Sequence, residues 1–240
     1  MTGKAEKTLI GVTGAWMVHL LTASGAIFGL LAIHATANHA YVPALWWMIV
    51  TCAIDGVDGA LARWRKVKYF LPHFDGALLD NMVDYFTYVI VPAYFLIHTE
   101  LVAQGWRLPL AALIILVSAY QFCQEDAKTP DHTFTGFPSY WNVAVFYLFM
   151  LNWPQWINAA LLALCAAGVF IPVRYLYPSR TPLLRPVSVT LGVLWAGILI
   201  IALLRYPDGH EALVLVSFFY IAYYLIFSVW LTARRAMAKA

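Results

Sequence analysis

Four aspartates stand inside two strongly apolar segments of the sequence. Asp55 and Asp58 are three residues apart near the end of one segment, and Asp80 and Asp84 are four residues apart near the start of the next. Spacings of three and four place each pair on one face of a helix. An ionisable group in a membrane-spanning helix costs about 2.5–3.5 kcal/mol on insertion scales, so four of them together indicate a functional site.

The depth of each aspartate can be counted from the edges of the connecting loop, residues 64–75. Asp58 and Asp80 lie about 6 Å beyond those edges at the helical rise, and Asp55 and Asp84 about 11–12 Å, so the carboxylates are predicted to form two matched levels. Converging carboxylates repel one another unless cations join them, and two divalent ions would balance four negative charges. Ligands that are all oxygen favour Mg²⁺ or Mn²⁺ over Zn²⁺.

The elements that carry these aspartates must lie in lipid. The 240 residues are 62% hydrophobic and only 11% charged, and a spanning helix takes about 20 apolar residues. The sequence therefore predicts an all-α integral membrane protein, a single domain over residues 1–240 that forms a bundle of about eight transmembrane helices. The hydrophobic runs place these helices near 15–35, 41–63, 76–98, 107–124, 139–152, 155–174, 186–205 and 211–233.

The positive charges predict which way the helices cross the membrane. Eight spans leave 13 of the 15 lysines and arginines on one side, with only Arg107 and Arg205 on the other. By the positive-inside rule the first side is cytoplasmic, so both termini and the active site are predicted to face the cytoplasm. The net charge of +3 is too small to suggest a nucleic-acid partner.

The aspartates belong to two longer motifs, Asp55-Gly-Val-Asp58-Gly59-Ala-Leu-Ala62-Arg63 and Gly76-Ala-Leu-Leu-Asp80-Asn-Met-Val-Asp84. Together these motifs resemble the signature of the CDP-alcohol phosphotransferases. The loop between them is longer than is usual in that family. This loop and the segment Thr133-Phe-Thr-Gly-Phe-Pro-Ser-Tyr-Trp-Asn142 look like those of the bacterial phosphatidylcholine synthases. The resemblance implies an enzyme of the bacterial inner membrane that transfers a phosphatidyl group from CDP-diacylglycerol to choline.

The resemblance also implies roles for individual residues. Asp55, Asp58 and Asp80 would ligate metal, and Asp84 would both approach the metal and act as the general base. A nucleotide and phosphate site would include Gly59, Ala62, Arg63, Gly76, Lys128 and Arg174. The positive-inside rule is an alternative explanation for Lys128 and Arg174.

Choline carries a quaternary ammonium group that donates no hydrogen bond, so sites for it use aromatic faces, often with a carboxylate. The aromatic residues near the cytoplasmic ends of the third to fifth predicted helices suit such a cage. The predicted members are Tyr85, Tyr88 and Trp141, with Glu125 as the charge partner. The alternative is that these rings form an aromatic belt at the membrane interface.

Other readings of the same residues remain open. The acceptor could be serine, inositol phosphate or glycerol phosphate, although a phosphorylated acceptor calls for a cluster of cations beyond those that topology requires. A proton-coupled or metal transporter would also contain intramembrane carboxylates, but near the midplane rather than near one face. A homodimer is expected only because relatives in the family are dimers.

Overall fold

The computed structural model describes residues 8–124, 133–178, 181 and 185–239, and most of these are helical. A π-helical turn, Phe86–Ile90, joins α4 to α5, and two short strands, β1 (Thr133–Thr135) and β2 (Arg174–Leu176), are the remaining regular elements of the described chain. The helices are α1 (Leu9–Ala37), α2 (Tyr41–Trp64), α3 (Val67–Phe70), α4 (Gly76–Tyr85), α5 (Val91–His98), α6 (Gln104–Cys123), α7 (Trp141–Leu151), α8 (Gln155–Gly168), α9 (Arg185–Leu204) and α10 (Glu211–Lys239).

Each of the eight predicted segments contains a helix, but not all of these helices have the length of a span. Within the described residues, α1, α2, α6, α9 and most of α10 are long and apolar enough to cross a membrane. Helices α7 and α8 have only 11 and 14 residues. The count of eight spans therefore stays a prediction. Helix α8 also ends at Gly168, short of the predicted end near residue 174, and Pro172 soon after would oppose its continuation.

The described residues form two compact units, one up to His98 and the other from Thr99 onwards. In the first unit, α1 packs against α2, α4 and the π-helical turn. Two glycines of α1 allow the close approach: a Cβ at Gly25 would lie 2.9 Å from Val83 Cγ1, and one at Gly29 would lie 2.7 Å from Phe86 Cε1. Small residues at such crossings let helix backbones come together in a membrane.

In the second unit, β1 and β2 pair antiparallel, with Thr133 opposite Leu176 and Thr135 opposite Arg174. Two side-chain hydroxyls of helix α10 accept hydrogen bonds from backbone N–H groups of β2. Arg174 N donates to Thr232 Oγ1 at 2.8 Å, and Leu176 N donates to Ser228 Oγ at 3.0 Å. Backbone groups shielded from water must find partners within the protein. The hydroxyls of α10 therefore satisfy backbone N–H groups of β2 that would otherwise lack partners beside a long apolar helix.

This strand pair is a detail that the sequence did not predict, and the fold is overwhelmingly helical, as predicted. Strands of three residues are too short to show an alternating pattern, so periodicity gives no signal for them. The backbone conformation directly after β1 requires a glycine. Gly136 has a φ of +77°, and a Cβ there would overlap the carbonyl oxygen of Val169.

Removing either hydroxyl that binds β2 should destabilise the protein. Ser228→Ala or Thr232→Val leaves one strand N–H without its partner, which costs about 1–3 kcal/mol in the free energy of unfolding. Reversible unfolding by SDS in mixed micelles measures this change. Ser24→Ala is a matched control, because the Ser24 hydroxyl donates only to the Leu21 carbonyl in its own helix. Equal stability of the Ser228→Ala and Ser24→Ala variants would contradict the assignment.

Candidate active site

Three of the four aspartates come together in the first unit. Asp55 of α2 and both Asp80 and Asp84 of α4 each offer one carboxylate oxygen, and these three oxygens lie within 4.8 Å of one another. All three residues are half-buried. In the part of the chain that the structure describes, no other three acidic, histidine or cysteine side chains meet in this way.

The geometry of this cluster suits a divalent cation. Ligand oxygens lie about 2.0–2.1 Å from Mg²⁺ and about 2.3–2.6 Å from Ca²⁺. Oxygens within 4.8 Å of one another are therefore close enough to share one divalent ion, with small side-chain rotations for the smaller Mg²⁺. The donor set is carboxylate oxygen alone, which is the chemistry of Mg²⁺ and Mn²⁺ sites. Three carboxylates this close in apolar surroundings also repel one another, and a bound cation relieves that repulsion.

Asp58 lies outside the three-residue cluster. Its side chain is only 5% exposed, and its Oδ2 accepts a hydrogen bond of 2.7 Å from the hydroxyl of Thr22 in α1. The predicted role of Asp58 as a metal ligand therefore stays a prediction. Thr22 was not predicted as part of the site, because a threonine inside an apolar helix gives no signal until its neighbour across the helix contact is known.

The π-helical turn begins two residues after Asp84. It is closed by a bond from the Val91 N–H to the Phe86 carbonyl, which is five residues back rather than four. The sequence predicted one unbroken helix near 76–98, so this turn is a departure from that prediction. In the structure the Tyr88 hydroxyl donates to Asp55 Oδ2 at 2.7 Å. π-Helical turns of this kind are frequent at functional sites.

Four of the residues predicted to form the nucleotide site occupy the end of α2 and the start of α4. The Arg63 guanidinium bends back along α2, so that a Cβ at Gly59 would lie 3.4 Å from Arg63 Nη1. Ala62 packs against a buried cluster formed by Ala15, Val18 and Val67. That packing gives Ala62 a structural reason to be small, besides the predicted need to make room for a nucleotide.

Gly76, the first residue of α4, lies against the imidazole of His19 in α1. A Cβ at this position would come within 2.5 Å of His19 Cε1. His19 is 7% exposed, and its ring centroid is 4.4 Å from that of Phe74. The preceding residue, Asp75, accepts hydrogen bonds from the N–H groups of Ala77 and Leu78. These contacts fix the first turn of the helix that carries Asp80 and Asp84.

The remaining predicted residues are only partly accounted for. Lys128 and Glu125 lie outside the described residues. Arg174 is the first residue of β2 in the second unit, where it is partly exposed. Tyr85 is half-buried at the end of α4.

Trp141 departs from its predicted place in a choline cage. It is fully buried in the second unit, and its indole N–H donates to Ser118 Oγ at 2.7 Å. The ring also meets Phe137 edge to face. A ring enclosed in this way has no exposed face for a ligand, because packing around α6 and α7 has taken it into the core. The sequence offered no means of separating this core tryptophan from an interfacial one.

Comparison with known proteins identifies the relatives of the chain. Residues 16–171 match the family model of the CDP-alcohol phosphatidyltransferases. A protein of Legionella pneumophila described as phosphatidylcholine synthase is 44% identical over 95% of this chain and 92% of its own length. Proteins of the same description from Borreliella burgdorferi and Pseudomonas aeruginosa are 36% and 34% identical, over 92% and 95% of this chain and 95% of each relative.

The family match includes both motifs, the loop between them and the three clustered aspartates. It also agrees with the apolar helices of a multi-pass membrane protein. The predicted resemblance and the predicted class of fold are thereby confirmed, and this chain belongs to the CDP-alcohol phosphatidyltransferase family.

Proposed function

We propose that the protein transfers the phosphatidyl group of CDP-diacylglycerol to choline, which yields phosphatidylcholine and CMP. The observation that carries this proposal is the cluster of Asp55, Asp80 and Asp84 within the family motifs. Relatives described as phosphatidylcholine synthase, aligned over nearly the whole chain, support choline as the acceptor.

The carboxylates of Asp55, Asp80 and Asp84 are suited to hold Mg²⁺ or Mn²⁺. Asp58, about one turn further along α2, is proposed as a ligand of a second ion. Held by these carboxylates, the metal would supply Lewis-acid polarisation of the diphosphate and would offset the charge of the departing CMP. The three aspartates are half-buried, and charge interactions at a partly buried site are stronger than in bulk water.

Asp84 is the residue that we assign as general base. The choline hydroxyl is a weak nucleophile at neutral pH, so its proton must be accepted as its oxygen attacks. In the proposed reaction the choline oxygen bonds to the phosphorus that bears the diacylglycerol, the bond from that phosphorus to the CMP oxygen breaks, and Asp84 receives the proton. An in-line arrangement of the entering and leaving oxygens suits this transfer.

The substrate contacts follow the motif positions. Gly59, Ala62 and Gly76 are proposed to leave room for the nucleotide. Arg63, Lys128 and Arg174 are proposed to contact phosphates. For choline, the candidate aromatic faces are Tyr85 and Tyr88, and Glu125 is the candidate charge partner. Trp141 is left out of this proposal because its ring is buried.

The proposed setting is the bacterial inner membrane, crossed by about eight helices, with both termini and the aspartates toward the cytoplasm. The predicted excess of lysine and arginine on that side supports this orientation. A homodimer is also proposed, by resemblance to the family alone.

The product of the reaction tests the function directly. Purified protein is incubated with CDP-diacylglycerol, Mn²⁺ and one acceptor at a time: choline, serine, inositol phosphate or glycerol phosphate. We expect phosphatidylcholine and CMP in equal amounts with choline, and no lipid product with the other three, as measured by mass spectrometry. Faster turnover of serine or of a phosphorylated alcohol would overturn the choice of acceptor. The absence of CMP release with all four would overturn phosphatidyl transfer itself.

A further inference from the structure

The two aspartates of α2 share a feature that the proposed function leaves unexplained. The Oδ2 atom of each accepts a hydrogen bond from a hydroxyl of another element. Tyr88 donates to Asp55 and Thr22 donates to Asp58, both at 2.7 Å. This is the usual length of a well-formed O–H···O hydrogen bond, and it lies within the range for a hydroxyl that donates to a charged carboxylate.

The surroundings make both hydrogen bonds strong. Thr22 and Asp58 are 6% and 5% exposed, and the Tyr88–Asp55 pair is partly buried. In a medium of low polarity a hydroxyl–carboxylate bond is electrostatically stronger than in water. A bond to one carboxylate oxygen fixes the rotation of the whole group, and it therefore also sets the direction of the other oxygen.

The backbone around Tyr88 supports its contact with Asp55. Tyr88 is the middle residue of the π-helical turn, and this turn lies against α1 where Gly29 leaves room for the Phe86 ring. Thr22 belongs to the same helix α1, two turns before Gly29. Helix α1 contributes no aspartate, yet it holds Asp58 directly and packs against the turn that carries the partner of Asp55.

We propose that Tyr88 and Thr22 are positioning residues of the metal site, which hold Asp55 and Asp58 in the orientation that binds a divalent cation. The proposal rests on the proposed function only through the metal site and not through the identity of the alcohol. Partners that orient metal ligands typically contribute 10- to 100-fold, in order of magnitude, to metal affinity.

Titration with Mn²⁺ in the absence of substrate tests the proposal. Electron paramagnetic resonance of free Mn²⁺ gives the Kd of the purified protein in detergent. We expect Tyr88→Phe and Thr22→Val to raise this Kd by about 10- to 100-fold, while Thr22→Ser, which keeps the hydroxyl, stays near the wild-type value. Thermal unfolding of each metal-free variant checks that the fold is retained.

Two matched controls remove a tyrosine and a threonine hydroxyl at other positions in the first unit. Tyr41→Phe removes a hydroxyl that donates to the His98 carbonyl at 2.6 Å, and Thr36→Val removes one that donates to the Ala32 carbonyl at 2.8 Å. Neither bond reaches an aspartate, so both controls should bind Mn²⁺ as the wild type does. A similar loss of affinity in the controls would overturn the proposal, since it would point to a general structural effect.

The same variants separate positioning from the proposed choline cage. Tyr88→Phe keeps the aromatic face and removes only the hydroxyl, whereas Tyr88→Leu removes both. If Tyr88→Phe binds Mn²⁺ normally and only Tyr88→Leu raises the KM for choline, Tyr88 is a cage residue and the positioning role is wrong. If the wild type binds Mn²⁺ and both hydroxyl deletions weaken that binding, positioning holds even when no phosphatidylcholine is formed. Mn²⁺ binding therefore tests the positioning role, and product formation tests the proposed function, independently of each other.

Discussion

Asp84→Asn should lower kcat by about 10²- to 10⁴-fold, the usual contribution of a general base. Asparagine keeps the size of the side chain and one oxygen, but it accepts no proton at neutral pH. The effect on the KM for CDP-diacylglycerol should be much smaller, because the base acts on the alcohol during attack. Steady-state kinetics with saturating Mn²⁺ and each substrate varied in turn measure both quantities.

The matched control for this variant is Asp80→Asn. Asp80 lies one helical turn from Asp84 on α4 and belongs to the same cluster. Loss of a metal ligand weakens Mn²⁺ binding, so excess Mn²⁺ should recover much of the activity of Asp80→Asn. The same excess should not recover Asp84→Asn, since no metal concentration replaces the missing proton acceptor. Full recovery of both variants would show that Asp84 is a ligand and not the base.

Much of the site could be predicted because it depends on local spacing. Helical periodicity puts Asp80 and Asp84 on one face of α4, and the cost of charge in lipid marks them as functional. The structure brings both to Asp55. These inferences require only the geometry of a regular helix and the chemistry of carboxylates, both of which can be read from sequence.

The features that escaped prediction depend on contacts between elements. Nothing in the sequence pairs Thr22 with Asp58, which are 36 residues apart and meet only because α1 crosses α2. The π-helical turn at Phe86–Ile90 interrupts the predicted third helix, and no proline or glycine inside it gives a sequence signal. Trp141 is buried because of the residues that pack around it, and its residue type alone does not predict this burial. Each of these outcomes is set by packing, which a single sequence does not display.

Removal of the divalent metal should abolish activity. A bound metal contributes several kcal/mol to stabilising the transition state, so excess chelator should lower turnover on the order of 10³-fold or more. Mn²⁺ or Mg²⁺ should restore activity, whereas Zn²⁺ should not, because the cluster offers only carboxylate oxygens. Full activity in excess chelator would contradict the whole metal-based mechanism.

The metal should also stabilise the fold, and this effect can be measured without substrate. A ligand that binds only the folded state adds about 2.7 kcal/mol to the free energy of unfolding when present at 100 times its Kd. We expect thermal unfolding of the wild type to shift upward with Mn²⁺ and that shift to be lost in Asp80→Asn. Asp75→Asn is the matched control: Asp75 caps α4 outside the cluster, and asparagine caps a helix about as well as aspartate. The control should keep the Mn²⁺-dependent shift, because the three carboxylates whose repulsion the metal relieves are all still present. An equal shift in the Asp80→Asn and Asp75→Asn variants would mean that Mn²⁺ stabilises the protein at some other place than the cluster.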